Sequence, residues 1–196
     1  MSGPFDPGYY RTDELRTFGF KSVGDNVSIA KTCKIVGLDN IEVGDNSRID
    51  DFTTLIATGP LFIGQSVHIH SYCQIGARGG VTLHAYSALA SGCLVYSASD
   101  DLSGRHMVGG SVPSQYTNPK IASVVMGRHA VAFARTTILP GVAFEEGAVA
   151  CAHSLVSRTV PAWTIVAGSP AEHRIKRSRR LLGFEAAMTL ADKVAA

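Results

Sequence analysis

The sequence predicts an all-β solenoid, in which short parallel strands wind into a three-sided coil with one side chain per strand directed inward. Three observations predict it. Apolar residues recur every six positions through residues 124–156, as Met126, Ala132, Ile138, Phe144, Ala150 and Val156. The same series runs back through the chain as Val23, Ile29 and Ile35, then Val43, Ile49 and Leu55, then Ile63, Ile69 and Ile75, then Leu83, Leu89 and Val95. Between these triplets the step lengthens to eight, and the added residues always fall in turn formers: Gly37-Leu38-Asp39-Asn40, Ala57-Thr58-Gly59-Pro60 and Ala77-Arg78-Gly79-Gly80. A six-residue repeat is neither the helical period nor the alternation of a long strand. Three such faces close a triangular prism, with coils of 20 residues at first and 18 later. Eighteen apolar positions in phase, with aligned insertions, exceed what chance supplies. The residues two before the inward positions (Val124, Ala130, Thr136, Val142, Ala148, Ser154) are small or β-branched, as a narrow interior requires.

In chain order, residues 1–10 are rich in Gly and Pro, with little to hold them. Thr12 followed by Asp13 and Glu14 marks a helix start, predicting a short helix to Thr17. Residues 1–20 thus form an N-terminal segment and cap, needed because an open prism exposes unpaired strand edges. Coils occupy residues 21–171. They are interrupted once, since Val95 to Met126 spans 31 residues where one step would be six. The excess is a long external loop, residues 96–120, carrying Ser97, Ser99, Asp100, Asp101, Ser103 and His106. A loop of this length without elements of its own is generally functional or disordered. The remaining residues, 172–196, predict a C-terminal helix from Arg174 to Ala191, with Leu181, Leu182, Phe184, Met188 and Leu190 as its apolar side.

Composition narrows the function. The 196 residues suffice for one domain with a sizeable core. A net charge of +2 argues against a nucleic-acid partner, although Arg174, Lys176, Arg177, Arg179 and Arg180 cluster. No segment is long and apolar enough for a membrane span, and the first residues lack the apolar core of a signal peptide. Cys33, Cys73 and Cys93 each stand two residues before an inward position, which makes them small core residues and not a disulfide set. Together these features predict a protein of the reducing cytoplasm.

A filled prism leaves its outer walls for chemistry. On the second face the outward residues flanking the inward series include Arg48, Asp50, His68 and His70, with Asp51 close by. Neighbouring coils lie one strand spacing apart, so Arg48 should sit beside His68 and Asp50 beside His70. A carboxylate that orients a histidine is the usual arrangement of a general base. The competing reading is a surface ion-pair ladder. His84, His129 and His153 fall at corners and carry no predicted role. Trp163 is either an anchor at the end of the prism or a stacking surface for an adenine or a neighbouring subunit.

The hexads, with Leu139-Pro140-Gly141-Val142, Pro161-Ala162-Trp163 and Ala167-Gly168-Ser169-Pro170-Ala171, resemble the hexapeptide-repeat acyltransferases. The closest likeness is to the sugar O- and N-acetyltransferases of the galactoside, maltose and xenobiotic group, including nucleotide-aminosugar enzymes of O-antigen and lipopolysaccharide synthesis. That resemblance implies a left-handed parallel β-helix, acetyl-CoA as co-substrate, and a homotrimer with the pantetheine arm lying between subunits. It implies donor contacts at Ala134, Ala152, Ser157, Gly168 and Pro170, and coenzyme phosphates met by Arg174 or Lys176, with Arg177 a further alternative. The galactoside-type enzymes place a catalytic histidine just after the strand that precedes the loop, and here Asp100 stands there. The expected catalytic set is therefore His68, His70 and Asp100, with Arg48, Asp50, Asp51, Ser99 and Asp101 binding substrate and no metal ligand assigned. An amine, once neutral, attacks a thioester without prior proton removal, whereas a hydroxyl needs a base. Loss of the histidine thus favours the amino group of a nucleotide-linked deoxy amino sugar as acceptor. A sugar O-acetyltransferase is the first alternative. A trimeric γ-type carbonic anhydrase, which would use His68-Ile69-His70 for zinc, is the second.

Overall fold

The structure, a computed structural model, describes residues 5–195. Expectations for residues 1–4 and for residue 196 lie outside the described residues. Three sheets form the walls of a prism. The inward residues stack in the columns that the period predicts. Val23, Val43, Ile63, Leu83, Met126 and Phe144 share the first face. Ile29, Ile49, Ile69, Leu89, Ala132, Ala150 and Val166 share the second. Ile35, Leu55, Ile75, Val95, Ile138 and Val156 share the third. Nearly all of these side chains are buried. The pairing Leu83↔Met126 joins residues on either side of the loop, so the chain leaves at the end of one coil and re-enters as the next coil stacked directly on it.

The corners explain residues that the hexad pattern alone leaves open. Phe52, Tyr72, Arg135 and His153 turn the second-to-third corner at φ of 58°, 63°, 58° and 60°. Such left-handed residues cost about 1–2 kcal/mol each outside glycine. Their amides are met by the neighbouring coil, as in Tyr72 N–H to the Asp51 carbonyl at 3.0 Å and Arg135 N–H to the Ser91 carbonyl at 2.9 Å. One residue further on, Cys33, Thr53, Cys73, Cys93, Thr136 and Ser154 form a column whose Sγ or Oγ groups donate to corner carbonyls. Cys33, Cys73 and Cys93 are therefore free thiols spent on turns. At Gly147 an added Cβ would lie 2.5 Å from the Trp163 ring, and the ring closes over that glycine. Trp163 is thus an end anchor, with Arg179 over its outer face.

Both ends depart from expectation in one way. Tyr9–Arg11 is a strand, antiparallel to Ser28–Ala30, in a stretch expected to be loose. The helix that follows, α1, is shorter than predicted, Thr12–Leu15, and buries Leu15 in the core. At the other end Glu172–Lys176 is a strand, antiparallel to Thr164–Ala167, and helix α2 begins only at Leu181, running to Ala195. The predicted helix start at Arg174 is therefore corrected. The terminal coil exposes a row of unpaired backbone groups, and pairing with that edge outweighs local helix propensity. Arg177 donates to the carbonyls of His129 at 2.7 Å and Gly147 at 3.0 Å, pinning the chain before α2. Glu185 of α2 bonds His129 Nε2 at 2.6 Å and pairs with Arg128. The predicted apolar side of α2 does not close the prism: Phe184, Met188 and Leu190 are exposed in the single chain. No described helix is long and apolar enough to cross a membrane.

Candidate functional site

The predicted site residues fall into three assemblies. The first lies on the outer wall of the second face. Register places Arg48 beside His68, as expected. The carboxylate of Asp50, however, reaches His68 and not chiefly His70: Oδ2 is 2.8 Å from His68 Nε2 and 3.9 Å from His70 Nδ1. Its other oxygen accepts from Arg48 Nε–H at 2.6 Å and from the Tyr9 hydroxyl at 3.0 Å. Tyr9 thereby ties the N-terminal strand to the patch, a partner that the sequence reading missed. Burial alone would raise the Asp50 carboxyl, but hydrogen bonds from Arg48, His68 and Tyr9 outweigh it and hold the group below the usual carboxylate range. His70 is shifted downward, first by burial and then by the nearby His68. The two imidazoles stack with centroids 3.8 Å apart. Asp51 stands apart from this patch and accepts from the Thr32 hydroxyl at 2.8 Å.

The second assembly is the loop. A two-stranded ribbon, Ala98–Ser99 against Lys120–Ile121, closes its base, so the excursion is more ordered than expected. Ser97 fixes the exit by donating to the Gly76 carbonyl and accepting from Gly79 N–H, both at 2.8 Å. Beyond the ribbon the loop folds around a cavity of about 600 Å³ lined by Asp100, Asp101, Ser103, Arg105, His106 and Lys120, among others. Ser99 sits in the ribbon opposite Lys120, at the edge of this cavity. Asp100 is exposed. Asp101 Oδ2 holds His106 Nδ1 at 2.6 Å, and its Oδ1 accepts from Ser103 N–H at 2.8 Å. The bond to His106, then those to Ser103, lower the Asp101 carboxyl to about 2. In a neutral imidazole, donating Nδ1–H to the carboxylate leaves the lone pair on Nε2. His106 was visible in the sequence only as one polar residue of a Gly/Ser-rich loop. Its pairing with Asp101 depends on how the loop folds back.

Topology separates these two assemblies within one chain. The loop departs from the corner between the third and first faces, whereas His68 and His70 lie on the second face, opposite that corner. Asp100 is therefore not brought to either histidine within a single chain.

The third assembly is the donor region. Ser157 and Pro170 line one cavity of about 310 Å³ together with Arg158, Ala171 and Glu172. Arg158 is a cation that the sequence reading did not single out. Ala134 and Ala152 lie on a different edge, the second-to-third corner, where the Ala134 carbonyl accepts from His153 N–H at 2.9 Å. Gly168 is already engaged, its carbonyl by Leu155 N–H at 3.0 Å and its amide by Ser154 Oγ at 3.3 Å. Arg174 and Lys176 are exposed on the last strand, with Arg174 donating to the Ala167 carbonyl at 3.3 Å. Arg177 spends its Nη1 on the carbonyls described above.

A three-sided parallel β-helix with one excursion after its fourth coil defines a class, and the chain belongs to the hexapeptide-repeat acyltransferases. Within it, the chain is 38% identical over 173 residues to the dTDP-4-amino-4,6-dideoxy-D-glucose acyltransferase of Escherichia coli, covering 88% of this chain and 90% of that protein. It also superposes on AntD, an N-acyltransferase from Bacillus cereus solved with dTDP and 3-hydroxybutyryl-CoA. That match has a TM-score of 0.90 and 32% identity over 95% of this chain and 98% of the other. A serine variant of AntD, in complex with dTDP-4-amino-4,6-dideoxyglucose and coenzyme A, matches at TM-score 0.90 and 34% identity over 94% and 98% of the two chains. A maltose O-acetyltransferase from Clostridium difficile, at 20% identity over 85% and 74% and TM-score 0.55, shares the fold. No family model matches the chain. The left-handed helix implied by the first resemblance is the fold of this class. Membership in an acyltransferase family sets aside the carbonic anhydrase alternative.

Proposed function

We propose that the protein transfers an acyl group from an acyl-CoA to the amino group of a dTDP-linked 4-amino-4,6-dideoxy sugar. The observation that carries this is the likeness, over nearly the whole chain, to an acyltransferase named for that acceptor. The loop cavity supports it chemically. Asp100 and Asp101 offer carboxylates to an ammonium group or to sugar hydroxyls. At neutral pH the acceptor must lose a proton before its nitrogen attacks. His106 Nε2 accepts that proton, while Asp101 on Nδ1 fixes the tautomer and stabilises the imidazolium. The neutral nitrogen then attacks the thioester carbonyl carbon, the carbon–sulfur bond breaks, and the thiolate leaves and is reprotonated. Arg158, which lines the cavity with Ser157 and Pro170, and Arg174 or Lys176 on the last strand supply the cations for the coenzyme phosphates.

The assembly proposed is a homotrimer, in which an adjacent subunit brings further groups to the loop cavity. Val36, Ile56, Gly76 and Tyr96 stack in register on the outer wall of the third face, and an apolar strip of this kind suits self-association. The four free cysteines suit a reducing compartment. The test is thiol release from acetyl-CoA and longer acyl-CoAs over dTDP-linked amino and hydroxyl sugars. Turnover with the amino sugar is expected, and turnover with hydroxyl acceptors alone overturns the proposal.

A further inference from the structure

We propose that Asp50, His68 and His70 form a binding site for a divalent transition-metal ion of the zinc, cobalt and nickel class, on the outer wall of the second face. Each side chain offers one ligand atom, and these atoms lie within 4.8 Å of one another. Two ligands at about 2.0–2.2 Å from a tetrahedral ion are themselves separated by roughly 3.3 Å. The separations from Asp50 Oδ2, 2.8 Å to His68 Nε2 and 3.9 Å to His70 Nδ1, bracket that spacing, so small side-chain rotations bring all three onto one ion.

The strand supplies the arrangement. Ile69 points inward, so strand alternation sends His68 and His70 out to the same wall. The rest of the carboxylate is already fixed: Arg48 and Tyr9 hold Oδ1, which leaves Oδ2 turned toward the imidazoles. Ligating carboxylates are commonly oriented by second partners of this kind. An ion-pair ladder accounts for the cluster less well. Two imidazoles stacked at 3.8 Å face one carboxylate oxygen, so a one-to-one pairing leaves one ring without a partner. A single divalent ion uses both rings at once. The Arg48 cation weakens the site without blocking Oδ2. Two nitrogens and one oxygen favour zinc, cobalt or nickel over magnesium or calcium. The imidazole side chains are 37% and 41% exposed, so further coordination positions face water or an added ligand.

This inference does not rest on acyl transfer, and its test reads metal directly. Chelator-dialysed full-length protein is titrated with Co²⁺, followed by visible absorption, and with Zn²⁺, followed by calorimetry. Saturation at one ion per chain is expected, unaffected by millimolar Mg²⁺. His68→Ala and His70→Ala should each weaken binding by about tenfold or more, and His84→Ala, at a corner elsewhere on the prism, should leave it unchanged. Circular dichroism establishes that each variant is folded, and Asp50→Asn provides a third ligand deletion. Absence of saturable binding, equal losses in His84→Ala and His70→Ala, or displacement by Mg²⁺ would each overturn the proposal.

Discussion

Leu83→Ala tests the columnar core, and Thr82→Ala is its control. Leu83 is fully buried and pairs in register with Ile63 below and Met126 above. Thr82, one residue earlier, points to the outer wall between Phe62 and Val125. Replacing Leu83 by alanine removes three carbons, a loss of roughly 2.4 kcal/mol at about 0.8 kcal/mol per buried methylene. The void adds to this, because Met126 and Ile63 are held by the ladder and cannot close it, which brings the cost to about 3–4 kcal/mol within the usual range of such changes. Thr82→Ala should cost under about 0.5 kcal/mol, as for an ordinary surface change. The assay is equilibrium denaturation of both variants at one protein concentration, since self-association also contributes to apparent stability. Similar midpoints for the two variants would refute the inward column. They would also refute the direct stacking of the coil after the loop on the coil before it, because Met126 lies beyond the loop.

Three further outcomes are expected. His106→Gln should lower kcat/KM for the amino-sugar acceptor by about 10²-fold or more, the range of a lost general base, with KM for acyl-CoA unchanged; an unaltered kcat/KM removes His106 from the chemistry. The folded Asp101 carboxyl, at about 2, lies below its ordinary value. Its contribution to loop stability is therefore present above the unfolded value near 4 and fades as pH falls through about 2. Carbon-13 NMR of the aspartate carboxyls should show a midpoint near 2, and one near 4 would deny the His106 bond in solution. Arg177→Ala should destabilise the fold by about 2 kcal/mol, because it leaves two carbonyls without their charged donor. Thermal unfolding within experimental error of the parent would contradict that anchoring.

The core columns were legible because each coil repeats one constraint: an inward residue at a fixed step, with insertions confined to one corner. That regularity located Ile49, Ile69 and Leu89 correctly, and put Arg48 beside His68. The ends were not legible in the same way. Tyr9–Arg11 and Glu172–Lys176 become strands because each meets an unpaired edge, a condition created by the rest of the fold and absent from local composition. The site was readable to the level of a wall and a loop, but not to individual contacts. Asp50 turns to His68 because Arg48 and Tyr9 hold its other oxygen, and Tyr9 lies 41 residues away in sequence. His106 meets Asp101 only once the loop has closed over its ribbon. Arg177, one of several clustered cations, proves to be a structural donor to two carbonyls.

The proposed activity is tested most directly by incubating the purified protein with acetyl-CoA and dTDP-4-amino-4,6-dideoxyglucose and following free thiol together with the mass of the nucleotide sugar. The account predicts stoichiometric thiol release and an acceptor heavier by one acyl group, attached at nitrogen. Thiol release without an N-acylated product, or acylation confined to hydroxyl acceptors, would contradict it.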